Sequence, residues 1–154
     1  MQQSYFKTLF HNSFDTFKVF DNLNVNETGN TLSNAPKTIW QILNHLTAWQ
    51  GHQLNQIKDI GQVTDIDEEA TWVNAGNATN QDELNSEVVL FKEQLSQLKS
   101  GIEKFDIADN DIVLKLKLIQ DLSVHLSFHI GEVILMRRMA GTYPLPHEMK
   151  AFLS

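Results

Sequence analysis

The sequence predicts an all-α protein: a four-helix bundle formed as one domain over residues 1–154, with a long loop between the second and third helices. Two observations carry that reading. Apolar residues recur at spacings of three and four through four long segments, and no segment competes with them as a strand. Of the three prolines, Pro36 and Pro144 fall where helices begin or end.

The first helix is expected over about Gln3–Asp21, with Phe6, Phe10, Phe14, Phe17 and Phe20 at helical spacing; five of the nine phenylalanines sit here. The stretch from Asn22 to Asn34, rich in Asn, Gly, Thr and Ser, reads as a loop. The second helix should start near Pro36, capped by Ser33 or Asn34, and close at Gly61. Its stripe is Ile39, Ile42, Leu46, Trp49, Gln53 and Ile57. Residues 61–79 form a loop of about twenty residues, long for a compact domain. It would return the chain along the bundle to start the next helix at the same end, with Trp72 pinning it down.

The third helix has the cleanest pattern: Leu84, Val88, Phe91, Leu95, Leu98, Ile102 and Phe105 alternate spacings of four and three. That is the a/d repeat of left-handed helix packing. Thr79 and Asn80, followed by Asp82 and Glu83, make a capping-box-like start. The fourth helix follows the polar turn Asp106–Asp111 and runs to about Ala140, where Gly141 and Pro144 stop it. One further helical turn fits His147–Leu153.

Composition excludes several function classes. Without cysteine there is no disulfide framework, thiolate metal site or protein thiol nucleophile. Any metal must be held by His, Asp or Glu. The net charge is −7, from 12 basic and 19 acidic residues, and no basic cluster exceeds Arg137-Arg138. Nucleic acid is therefore not an expected partner. No apolar run approaches the ~18 residues of a membrane span, and the N-terminus lacks a signal-peptide pattern. The expected location is the cytoplasm.

Chemistry concentrates in the fourth helix. His125 and His129 are four residues apart and share the stripe of Leu118, Leu122, Val133 and Met136. Two imidazoles facing a core repel if charged and lack partners if neutral; a shared metal resolves both problems. A third ligand is required. His45, midway along the second helix at the margin of its apolar arc, is the best candidate, and His52, two turns further along the same face, is the main rival. His11 and His147 read as ordinary surface or helix-end residues. Glu132 and Asp121, each about one turn from a histidine of the pair, are candidates to support a ligand or act as a base, or to be solvated helix surface.

The segments Ala35-Pro36-Lys37-Thr38-Ile39-Trp40-Gln41-Ile42-Leu43-Asn44-His45-Leu46 and His125-Leu126-Ser127-Phe128-His129-Ile130-Gly131-Glu132-Val133-Ile134-Leu135-Met136-Arg137-Arg138 resemble the second- and last-helix signatures of DinB-like (DinB/YfiT) proteins. Thr71-Trp72 is similar to the Trp that often precedes that family's third helix. The resemblance implies a four-helix bundle holding a divalent metal, often Zn²⁺ or Ni²⁺, on His45, His125 and His129, and a homodimer. Glu132 departs from the family pattern, where Gln is common.

Three neutral imidazoles leave a coordination position open, which is the catalytic rather than the structural arrangement. Such an ion lowers the pKa of bound water toward ~7 or holds an external low-molecular-weight thiol as thiolate. The resemblance implies a metal-dependent enzyme acting on a small molecule, as a thiol-dependent S-transferase or a hydrolase. The alternative is a non-catalytic metal-binding or stress-related bundle protein acting through dimerisation or ligand binding.

Overall fold

Helices and turns make up the described residues of the computed structural model, which are 5–10, 17–29, 35–62 and 65–154; there is no strand among them. The helices are α1 (Val25–Thr28), α2 (Ile39–Lys58), α3 (Gln81–Ile102), α4 (Ile112–Met139) and α5 (Met149–Leu153). Short 3-10 turns occupy Glu69–Thr71 and Pro146–Glu148.

The three long helices match the sequence pattern, with one shift at the start of α2. Its cap is Thr38, whose side chain accepts from the Gln41 N–H while the Gln41 side chain accepts from the Thr38 N–H. Thr38 is β-extended and Pro36 lies two residues before it, so Pro36 precedes the helix rather than opening it. Ser33 and Asn34, the expected caps, lie outside the described residues. At α3 the Asn80 side chain accepts from the Glu83 N–H, and Glu83 in turn binds the Thr79 N–H and hydroxyl. The expected start is thus the observed one.

α2 packs on both other long helices. Thr47 bonds Glu87, and Ile57 lies against Gly101, so α3 runs parallel to α2. On the other side His45 meets His129 and Trp49 meets His125, so α4 runs antiparallel. The parallel pair requires the long return loop. That loop brings Val73 back to α2's first turn, where its carbonyl accepts from Gln41 Nε2 at 3.1 Å.

The expected first helix is not formed where the chain is described. Residues 5–10 and 19–22 lie in turns, and Lys18 and Asn22 have φ of 47° and 56°; residues 3–4 and 11–16, Phe14 among them, lie outside the described residues. The physical reason is in the composition. Residues 3–21 contain no Ala or Glu and are rich in Ser, Thr, Asn, Asp and aromatics, all weak helix formers. The phenylalanines are still used. Phe20 packs edge-on against Phe91 in one core cluster, and Phe6 packs edge-on against Phe105 in the other. Burying a phenyl ring requires a cavity of matching shape rather than a helical backbone.

Arg137 fastens this irregular segment. It is 4% exposed and donates to the carbonyls of Val19 (2.7 Å), Asp21 (3.1 Å) and Thr142 (2.9 Å). Arg138 donates to Pro144 O, and the Tyr143 hydroxyl to Phe17 O. The basic pair of the sequence therefore ties residues 19–21 and 142–144 to α4.

Candidate metal centre

The antiparallel contact between α2 and α4 brings His45, His125 and His129 together. One ring nitrogen from each lies within 4.8 Å of the others, the only group of three or more metal-ligating side chains so placed among the described residues. Two nitrogens sharing an ion at ~2.1 Å stand roughly 3–4 Å apart, so small ring rotations suffice to seat one. His45 Nε2 and His125 Nε2 already stand 3.0 Å apart. His45 is 1% and His129 7% exposed, and His125 is half-buried.

Hydrogen bonds at the back of two rings determine which nitrogen faces inward. The Thr71 hydroxyl donates its one proton to the Glu68 carbonyl at 2.5 Å. It can only accept from His45 Nδ1, 2.6 Å away. His45 therefore carries its proton on Nδ1, and Nε2 keeps a free lone pair. Glu132 does the same for His129: its carboxylate accepts from Nδ1 at 2.7 Å, which leaves Nε2 free to serve as a ligand atom. Glu132 is thus a positioning residue. The short His45–His125 contact then needs one proton, carried on His125 Nε2.

Aromatic rings line the site. Trp72 stacks flat on His45, with centroids 3.8 Å apart and planes 7° apart, and Lys37 Nζ lies 4.8 Å from the Trp72 ring centre. Trp49 lies 4.8 Å from the His125 ring. Burial, followed by the neighbouring His129, His125 and Lys37, pushes the His45 pKa down to about 3. Burial and then His129 push His125 down to about 4. Both rings are consequently neutral at pH 7 and ready to ligate, with no proton to lose from the imidazolium form.

The other sequence candidates separate from the cluster. His52 is not in it; its ring sits 5.8 Å from Trp49 on the outer turn of α2. Asp121 is exposed and ion-paired with Lys117 at 2.5 Å, which is the solvated-face alternative. His147 is exposed near the C-terminus, and His11 lies outside the described residues. Sequence reading missed Thr71 as a functional side chain. The signal was the pair Thr71-Trp72, but its partner His45 lies 26 positions away and only the folded loop joins them. Comparison of the chain with family models, with curated proteins and with solved structures finds no match.

Proposed function

We propose that this chain is a metal-dependent enzyme that acts on a small molecule, with His45, His125 and His129 as ligands of a divalent ion, Zn²⁺ or Ni²⁺. The observation that supports it is the donor set: clustered imidazoles, two pinned at Nδ1 by Thr71 and Glu132 so that Nε2 faces in. No carboxylate or thiolate belongs to the cluster, so a bound ion keeps its full charge and an open position and acts as a Lewis acid. The protein's share is to hold the ligands neutral, fix their tautomers and shield His45 under Trp72. The architecture proposed with it is a DinB-like bundle in which the described residues before α1 pack on the long helices through Phe6 and Phe20.

The test is metal analysis of protein purified without chelator and challenged with Zn²⁺ or Ni²⁺, beside the His125→Ala variant. Stoichiometric metal in the wild type and its loss in the variant are expected. Wild type that retains none overturns the proposal. Reaction type is read next: turnover of an electrophile only when a low-molecular-weight thiol is added marks S-transfer, and thiol-independent turnover marks hydrolysis. The proposal includes a homodimer, for which Leu135 and Met139, exposed one turn apart on α4, offer apolar surface; sedimentation velocity reads it.

A further inference from the structure

A cavity of about 510 Å³ lies in the groove between α2 and α4, against His125. It is lined by the apolar Trp49, Val124 and Phe128 and by the polar side chains of Gln53, which is buried, and of Gln120 and Asp121, which are exposed. Three observations connect it to the metal centre. His125 belongs to both, so the cavity adjoins the ligand cluster directly. His125 is also the least buried of the three ligands, while His45 and His129 are closed off by protein. On the far side the stacked Trp72 covers His45. A molecule that reaches the ion's free position therefore enters from the cavity side.

The lining specifies what kind of molecule that is. Val124 and Phe128 are 63% and 64% exposed, large apolar side chains held open to water where α4 flanks the site. Apolar surface kept in water at the edge of a pocket is surface that an apolar ligand covers. No Lys or Arg lines the cavity, and the one ionised group at its rim is the Asp121 carboxylate, whose counter-ion Lys117 points its ammonium at Asp121 itself. Apart from the proposed ion itself, a carboxylate or phosphate lying in the groove would find no unpaired cation, since Lys117 is already engaged by Asp121.

We infer that this groove is the substrate pocket of the proposed metal site and that it takes an uncharged apolar group, such as an aromatic ring, attached to the donor atom that binds the ion. The inference rests on the three-histidine reading and goes beyond it by naming the substrate class. It places Trp49, Val124 and Phe128 as the residues that determine specificity, and it disfavours substrates or thiols that carry carboxylates in the part that lies in the groove.

Co²⁺-substituted protein provides the test, because the visible spectrum reports binding at the ion separately from any turnover. Imidazole, 4-phenylimidazole and 4-(4-carboxyphenyl)imidazole present one donor with three different attachments. Half-burying a phenyl ring against the groove walls should make 4-phenylimidazole bind on the order of 20-fold tighter than imidazole. The carboxylated probe should lose most of that advantage, and Phe128→Ser should bring the phenyl-to-imidazole ratio toward one. Co²⁺ that binds with equal affinity for imidazole and 4-phenylimidazole overturns the pocket and leaves the metal site standing. A carboxylated probe that binds as tightly as the phenyl probe overturns the charge selection. Protein that takes up no Co²⁺ overturns the metal site and the pocket together.

Discussion

Thr71→Val tests the tautomer argument most directly. Valine matches threonine in shape and removes the hydroxyl that accepts from His45 Nδ1 at 2.6 Å. The hydroxyl's own bond to the Glu68 carbonyl is lost too, but that carbonyl keeps the Thr71 N–H at 3.1 Å with or without metal. His45 is 1% exposed, so no water replaces that acceptor. The metal-free protein has an escape, because the proton can move to Nε2 and point at His125 Nε2, 3.0 Å away. With Nε2 committed to an ion that escape closes, and a buried N–H is left without a partner at a cost of ~1–3 kcal/mol. The cost falls on the metal-bound state alone, so it reads out as affinity: a Zn²⁺ dissociation constant raised about 10–100-fold. Competition against a chromophoric chelator measures it, with Thr71→Ser, which keeps the hydroxyl, expected within about threefold of wild type. Imidazole ¹⁵N shifts of the metal-free protein should show the proton leaving Nδ1 of His45 in the valine variant. Zn²⁺ affinity unchanged in Thr71→Val would refute the claim that Thr71 orients the ring.

Three further outcomes are expected. Arg137→Ala leaves the carbonyls of Val19, Asp21 and Thr142 without their donor and should cost about 3 kcal/mol or more in urea denaturation, with the N-terminal segment the first to lose protection in hydrogen exchange. Two glycines in long helices should respond with opposite sign in thermal melts. A Cβ at Gly101 would lie 2.9 Å from Ile57 Cγ2 and should destabilise by ~1–3 kcal/mol, whereas Gly131 has open space and Gly131→Ala should stabilise by ~0.5–1 kcal/mol. In chelator, the metal-free protein should lose stability as pH falls. His45 is held neutral with its pKa lowered to about 3, so below pH ~6.5 the unfolded state binds a proton that the folded state refuses. The slope approaches ~1.4 kcal/mol per pH unit for this ring, is absent above pH ~6.5, and persists down to the folded pKa. Urea denaturation at about pH 7 and pH 5 measures it, and His45→Gln should remove that share.

The parts of the fold that were readable in advance are those in which local sequence and burial agree. The a/d run from Leu84 to Ile102 became α3, with Leu84, Leu98 and Ile102 fully buried, because a repeat near the helical period brings the residues of the repeat to one side. The pair His125 and His129 was readable for the same reason, since four residues of helix place two rings one above the other. The N-terminal phenylalanines show the limit. Their spacing was helical, yet weak propensity left the described part of that segment in turns, and the rings found the core through Phe91 and Phe105 instead.

By itself the sequence determined that the protein is helical, that any metal site must do without thiolate, and that two candidate ligands come from one turn of the last long helix. Only the tertiary structure decided that the ring of His45 reaches those of His125 and His129, that Glu132 accepts from His129 while Asp121 pairs with Lys117, and that the long loop sets Thr71 and Trp72 against His45. The physical reason is the range of the information. Helical periodicity relates residues three and four apart, whereas the tautomer of His45 depends on a hydroxyl 26 residues away and its nearest ligand partner on a helix 80 residues away. Those distances close only when α2 and α4 pack antiparallel and the loop folds over them.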